Sequence, residues 1–415
     1  MDDEKIRVGV LLGGISAEKD VSLESGRNVV NKLLTSQKYT PIPIFLTGSL
    51  DDLKLYILPV NLLFQDNTEE ICRRIRCRNA GMISQEEQMV RIRDEYSKHS
   101  FVNNVIPVAF ENLPYVIDFA FIALHGIPGE DGTIQSILDK LSIQYNGSSA
   151  EVAKLTMNKY LTNRKLHEHG INVADQHVIE ISDWNNNKYP IMQHVSNTFK
   201  YPIIVKPVDD GSSAGVVLIN SELQLEKYID VAFMNTPLTN ILRDEFGIKK
   251  NGYIPFHKSI LVEEFISKGD SGRLAEITCG LMVHHDYDGN KTYEIFNPSE
   301  VITHGNVLSH EEKFLSGEGQ NITPSRFSND QQYNELINNH IRSVMLDVAK
   351  ILNLDGYARI DAMLKVYSSK VEVWVIEVNS LPALTPSTCI FHQAAINGYT
   401  PLKFIERVID DVIRR

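Results

Sequence analysis

A chain of 415 residues, 43% hydrophobic and 23% charged, is longer than one core normally fills, so two or three domains are expected and disordered or fibrous classes are excluded. Its formal net charge of -12 removes the usual electrostatic basis for nucleic-acid binding, so any nucleotide it takes is a small one held locally. No stretch reaches the ~18–20 continuous apolar residues of a membrane-spanning helix. The opening MDDEKIRVGV has no basic segment leading into an apolar one, so no signal peptide, no membrane partner and a cytoplasmic location are expected.

In chain order, Ile6 to Leu12 is an apolar run ending in Gly13-Gly14, and Ser16 and Glu18 lead into a helical pattern from Val21 to Leu34: strand, tight turn, helix. Pro41 to Leu46 predicts a second strand, and Phe119 to Leu124 a third that ends at the loop His125 to Gly132. These units predict a parallel sheet with its functional loops at the carboxyl ends of the strands. Between them, residues 50–115 carry charged helical segments, Glu69 to Arg78 and Glu86 to Lys98, read as an insertion into the first domain. Four cysteines, Cys72, Cys77, Cys279 and Cys389, are too few for a disulfide framework. The pair Cys72/Cys77 reads as a zinc half-site or as two reduced thiols on a helix, and no second Cys or His pair at ligand spacing accompanies it.

Asn146-Gly147-Ser148-Ser149 is turn chemistry ahead of a helical stretch from Ala150 to His169, and it places a domain boundary near 147. Ile203 to Pro207, a small-residue loop from Asp209 to Gly215, and Val216 to Ile219 predict a hairpin whose tip folds over a ligand. Ile260 to Glu264, Glu276 to Val283, Tyr357 to Lys365 and Val371 to Val378 alternate like strands of one antiparallel sheet. The last stretch, Pro401 to Arg415, predicts a helix with Leu402, Ile405, Ile409 and Val412 on one face. The expected units are 1–147, 148–252 and 253–415.

Four constellations carry chemistry. Glu377 and Asn379 share a face of one strand, and Arg359 and Asp361 share a face of its expected neighbour. Two carboxylates and an amide oxygen are the hard donors that Mg²⁺ uses, and a solvated sheet face is the alternative. Lys206 ends an apolar strand just before a glycine-serine loop, and Lys159 opens a helix; either is a phosphate ligand or a surface charge. The loop Gly211-Ser212-Ser213-Ala214-Gly215 has residues small enough for backbone N–H groups to approach phosphate oxygens, and a flexible linker is its bland reading. His125 to Gly132 and Gly13 to Glu18 follow strands of the first domain, where a parallel sheet places ligands. Alternatively, Glu18 favours the positive end of a helix and Asp131 caps one.

With GGISAEKDVSLESG, HGIPGEDGTIQ, VKPVDDGSSAGV, GYARID and EVNSLPALTP in this order, the chain resembles D-alanine–D-alanine ligases over most of its length. The resemblance implies an ATP-grasp fold of mixed α/β and α+β class, with an N-terminal Rossmann-like preATP-grasp domain and two further units gripping ATP, in a homodimer. It implies ATP and two Mg²⁺ ions as cofactors, with Mn²⁺ a possible substitute, and D-amino acids as substrates. The reaction implied is ADP-forming ligation of two D-alanines through an acyl phosphate, for peptidoglycan precursors of the cell wall.

Carried over by position, Glu18 matches the acid near the first substrate's amine, His125 the histidine lining the pocket, and Ser212 the loop serine linked to Glu18. Lys159 and Lys206 match the phosphate lysines, with Ser213 beside them, and Arg359 matches the oxyanion arginine. Asp361, Glu377 and Asn379 match the metal ligands. Glu263, Glu264, Phe265 and Ile266 match the adenine-contacting stretch. Several positions depart from the family. Leu274 stands where a ribose-contacting acid is common, with Glu276 as its candidate replacement. Ala383 replaces a glycine, and Thr388 replaces the serine that meets the second substrate. The lid pair is Lys313-Phe314 rather than lysine-tyrosine, which leaves a D-alanine–D-lactate ligase, or another amino-acid ligase, as the alternative. A non-catalytic nucleotide-binding protein is disfavoured, because Lys159, Lys206, Arg359, Asp361, Glu377 and Asn379 are all kept.

Overall fold

The structure is a computed structural model that describes residues 5–79, 105–209, 211, 215–234, 238–248, 253–302 and 320–414. The helical segment expected at Glu86 to Lys98 lies outside the described residues.

Three sheets organise the chain. The first has the order β4-β3-β2-β1-β5-β6, from β1 (Ile6–Gly13), β2 (Tyr39–Ser49), β3 (Asp52–Ile57), β4 (Ile106–Val108), β5 (Phe119–Ile122) and β6 (Gln144–Tyr145). Strands β1, β2 and β5 pair parallel as expected and β6 adds a short fourth parallel strand, while β3 and β4, within or beside the stretch read as an insertion, form an antiparallel edge. Val8 to Gly13 are buried without interruption. A central parallel strand is covered on both faces, so it reads as an apolar run rather than an alternation.

The second sheet, in the order β7-β10-β8-β9, comprises β7 (Gln176–Glu180), β8 (Ile203–Pro207), β9 (Val217–Ile219) and β10 (Ser259–Glu264). The expected β8/β9 hairpin is present. Strand β10 pairs with β7 and β8, so Ile260 to Glu264 does not belong with the later strands as the alternation suggested. Period alone identifies a strand but not its partner. One face of this sheet sets Ile203, Val205, Ile260 and Val262 in a core shared with Trp184, Val195, Leu225 and Tyr228 of two covering helices. The other face carries Lys206 and Glu263.

The third sheet runs β14-β13-β11-β15-β16 with β12 paired to β11. Its strands are β11 (Arg273–His285), β12 (Lys291–Ile295), β13 (Ser299–Ile302), β14 (Gln320–Ile322), β15 (Tyr357–Val366) and β16 (Val371–Asn379). A 22-residue helix, Gln331–Leu352, covers one face through Ile337, Ile341, Met345 and Val348. The helical stretch expected from Ala150 to His169 is two helices, Ala150–Met157 and Lys159–Glu168. Asn158 separates them with extended backbone, and its side-chain oxygen caps the second at Leu161 N, 2.9 Å away. That cap leaves Lys159 in the first turn.

The C-terminal helices α11 (Cys389–Ile396) and α12 (Pro401–Ile413) pack into the core of the first sheet. Phe404, Ile405, Val408, Ile409 and Val412 are its buried contribution from α12. Leu402, expected on that face, is only half-buried, and Phe404 takes the place it was given.

Candidate active site

Strands β15 and β16 set Arg359 opposite Asn379 and Asp361 opposite Glu377. Strict alternation along β16 would put Glu377 and Asn379 on the side of Val373 and Val375, which are buried in the core under the long helix. They face the other way because the register shifts between Asp361 and Ala362, where Ala362 opposes Val375 and Ile376 is left over. A β-bulge of one residue inverts the phase of every side chain beyond it. Val378 then returns to the core and both polar groups reach the open face.

On that face Arg359 donates from Nε to Asp361 Oδ1 and from Nη2 to Asp361 Oδ2, both at 2.9 Å. Thr278 Oγ1 on β11 donates to Oδ1 at 2.7 Å, and Asn379 Nδ2 lies 3.3 Å from Oδ2. Burial works against the Arg359 charge, but Asp361 outweighs it and holds the guanidinium pKa above its ordinary value. Lys159 Nζ approaches Glu377 Oε2 at 4.0 Å. Glu276 lies two residues from Thr278 on β11, opposite Met363, and so shares the face of Thr278 and Asp361.

On the second sheet, Lys206 and Glu263 form an ion pair of 2.6 Å with side chains 5% and 8% exposed. Gln176 Nε2 also donates to Glu263 Oε1, at 2.5 Å. Buried this deeply, neither charge is tolerated without the other. Lys159 N donates to Val208 O at 3.0 Å, which joins the lysine-bearing helix to the chain leaving β8. Glu264 is exposed and its N–H goes to Asp175 O at 2.9 Å, whereas Phe265 and Ile266 are half-buried.

The first sheet contributes Glu18 and His125, both buried. His125 Nε2 lies 3.0 Å from Ser25 Oγ, its N–H donates to Ser22 Oγ, and the Leu381 backbone is a further partner of the ring. Burial, and then the Arg359 charge, push this imidazole down to about 4, so it is neutral near pH 7. The Glu18 carboxylate abuts the loop after β8, where a Cβ on Gly211 would stand 2.5 Å from Glu18 Oε2. A larger residue there would require the Glu18 carboxylate to move.

Glu130, within HGIPGEDGTIQ, has no local signature of its own. It accepts from Gly126 N at 2.6 Å, and burial followed by the Glu18 charge raises it to about 8, against opposing effects of Gly126, Arg359 and Lys159.

The loop after β16 docks on the helix Lys19–Leu33. Asn28 Nδ2 donates to Leu384 O at 2.8 Å, and Leu384 N to Ser25 Oγ at 3.2 Å. Ala383 is buried in this loop. Thr388 is the N-cap of α11 but makes no side-chain cap bond. Ser212, Ser213, Lys313 and Phe314 lie outside the described residues. Among the described residues no group of three or more His, Cys, Asp or Glu side chains is placed to hold a metal; the Asp361, Glu377 and Asn379 set is two carboxylates and an amide. Thr278 and Gln176 also shape the site, and no motif marks either.

The family model described as the D-ala D-ala ligase N-terminus matches residues 7–148, and that of the D-ala D-ala ligase C-terminus matches residues 166–242 and 250–410. A D-alanine–D-alanine ligase of Natranaerobius thermophilus is 27% identical over 385 residues, which cover 92% of this chain and 88% of that protein. The VanG D-Ala:D-Ser ligase of Enterococcus faecalis superposes with a TM-score of 0.67 at 20% identity, covering 98% of this chain and 99% of that one. The D-alanine–D-alanine ligase of Bacillus anthracis in complex with ATP superposes with a TM-score of 0.58 at 20% identity, covering 99% and 98%. At such identities the solved structures establish the fold, which is the ATP-grasp architecture with its Rossmann-like N-terminal unit.

Proposed function

The chain belongs to the D-alanine–D-alanine ligase family, and from that premise we propose that it joins two D-alanines at the expense of ATP, through an acyl phosphate. One observation carries the reading: Arg359, Asp361, Glu377 and Asn379 stand side by side on one sheet face, with Lys159 4.0 Å from Glu377 and Glu18 and His125 brought beside them from another sheet. The units bearing these residues are taken as 1–147, 148–252 and 253–415, with β10 pairing across the last boundary into the central sheet.

ATP lies between the second and third sheets in this reading. Lys206 and Lys159 neutralise its phosphates, as do N–H groups of the loop containing Gly211, Ser212 and Ser213. The adenine is held by Glu263 and the stretch from Glu264 to Ile266, and the ribose by Glu276. Phosphoryl transfer to a carboxylate depends mainly on this positioning and charge neutralisation. The donor set of Asp361, Glu377 and Asn379 is all oxygen and fits Mg²⁺ or Mn²⁺; when bound, the ions supply charge neutralisation at the transferring phosphoryl group.

Glu18 receives the ammonium of the first D-alanine, and Ser212 links Glu18 to the loop. Arg359 commits Nε and Nη2 to Asp361, which leaves Nη1 to stabilise the tetrahedral oxyanion when the second amine attacks. The Thr388 hydroxyl, uncommitted to a cap, receives the second substrate's carboxylate beside Ala383. Neutral His125 braces the pocket wall through Ser25 and Leu381. Lys313 and Phe314 close the site and exclude water, which would hydrolyse the acyl phosphate.

A cytoplasmic homodimer acting on small molecules is the remaining part of the proposal; no helix among the described residues is long and apolar enough to cross a membrane. ADP release measured against D-alanine, L-alanine, D-serine and D-lactate tests the reading. D-alanine-dependent release with one dipeptide per ADP is expected. ADP release indifferent to amino acids, or none at all, overturns it.

A further inference from the structure

Between β12 and β13 the ladder along one edge of β11 is interrupted. Thr278 pairs with Ser299 on β13, and pairing resumes at Leu281 with Ile295 on β12. The gap is filled by a side chain from α11. Gln393 is fully buried; its Nε2 donates to Thr278 O and to Ser299 Oγ, both at 2.9 Å, and its Oε1 accepts from Gly280 N at 2.8 Å. The amide thus bonds the C=O of residue 278 and the N–H of residue 280 as the N–H and C=O of one residue on a neighbouring parallel strand would.

The strand is shaped to receive it. A Cβ on Gly280 would stand 2.6 Å from Gln393 Oε1 and 2.8 Å from Ile390 Cγ1, so the helix reaches the sheet only where the strand has no side chain. Both ends of this connection lead to the site. Thr278, whose carbonyl Gln393 holds, donates its hydroxyl to Asp361 at 2.7 Å. One turn before Gln393, α11 begins at Cys389, whose thiol lies in the field of Arg359 and Asp361, and its N-cap is Thr388. A second brace acts on the same helix start, since Asn321 Nδ2 on β14 reaches Cys389 Sγ at 3.4 Å.

We propose that Gln393, acting as a surrogate strand residue between β12 and β13, is a positioning residue that holds the start of α11 in register with Arg359 and Asp361, and so sets the seat of the accepting substrate. The proposal rests on the ligase reading above. The donor half of the reaction uses Lys159, Lys206 and the sheet's own carboxylates, none of which hangs from α11. Loss of the amide therefore affects acceptance of the second D-alanine more than activation of the first.

Two products separate the halves. Hydroxylamine intercepts the acyl phosphate as a small acceptor without a carboxylate, giving D-alanine hydroxamate and phosphate, whereas dipeptide formation needs the acceptor seat. In the full chain, Gln393→Met is expected to raise the D-alanine KM of the acceptor phase roughly 10-fold, since sub-ångström misplacement of a reactant costs one to two orders of magnitude. Its hydroxamate rate should stay within about 2-fold of wild type. Asn321→Ala, at an exposed position, should raise the same KM by about 2–3-fold with no change in hydroxamate, and it decides the matter if Gln393→Met shows no cooperative unfolding transition. Hydroxamate and dipeptide falling together, or an unchanged acceptor KM, overturns the proposal. A wild-type protein that forms hydroxamate but no dipeptide, or neither product, overturns the ligase reading itself.

Discussion

Strand β11 touches two groups of paired charges, each partly buried, and they are built differently. Near its carboxyl end, His284 Nδ1 is 2.8 Å from Asp411 Oδ2 and Nε2 is 2.9 Å from Glu294 Oε2; Arg407 pairs with Asp411 at 2.7 Å, and Asn397 and Tyr399 donate to Glu294. Two cations meet two anions, all from β11, β12 and the C-terminal helices, and the group ties α12 to the sheet. In mid-strand, Thr278 joins a group that extends beyond its own sheet: Arg359 commits Nε and Nη2 to Asp361, and Lys159, from a helix of the preceding unit, stands 4.0 Å from Glu377. Buried charge therefore does not by itself mark a reaction centre. Partners drawn from separate units are what single out the candidate site.

Four substitutions sharpen that contrast. Glu377→Gln strikes the open group and should cut D-alanine-dependent ADP release on the order of 1000-fold, with an unchanged melting temperature; near-normal release that keeps its Mg²⁺ dependence would remove Glu377 from the metal set. Lys206→Ala should weaken ATP binding by about 1.5–3 kcal/mol in calorimetry. It should also lower stability, because Glu263 is left buried without its cation. Unchanged nucleotide affinity would make the pair as closed as the His284 group.

Gly211→Ala drives a methyl group into the Glu18 carboxylate and should cost roughly 10-fold in kcat/KM for D-alanine through misplacement, with the melting temperature unaffected. Equal activity in the alanine variant would show that the loop stands off Glu18 during turnover.

The smallest effect on catalysis comes from the closed group. Hydrogen bonds to Asp411 and Glu294, working against burial, raise His284 to about 9 from an ordinary 6.5. A raised folded-state pKa contributes stability that is complete below the unfolded value and is lost as pH rises through the folded one. Urea midpoints should therefore decline between pH 6.5 and about 9–10. His284→Gln should lose about 1–3 kcal/mol at pH 6.5 and much less at pH 10, with ADP release per folded molecule unchanged. A pH profile identical in the two proteins would mean that this cluster does not titrate as a unit.

Much of the site was legible because its residues sit in short signatures with a local cause. Gly13-Gly14 before a helix, His125 after an apolar strand, and Arg359-Ile360-Asp361 and Glu377-Val378-Asn379 on alternating strands are patterns written within a few residues. Glu130 was less so, because its carboxyl becomes unusual only through burial beside Glu18. Gln393 was not legible at all. A glutamine in a short apolar helix has no local signature, and its partners at 278, 280 and 299 are distant in sequence.

The sequence by itself determined the family and the strands and helix starts that carry the candidate site residues, since each depends on residue type and spacing along the chain. It could not decide that β10 leaves the later strands for the central sheet, because period identifies a strand without naming its neighbour. Nor could it decide which way Glu377 and Asn379 face. Plain alternation from Val373 and Val375 buries them in the core. One extra residue at Ile376 turns them outward, and a bulge exists only where the partner strand β15 holds its own register.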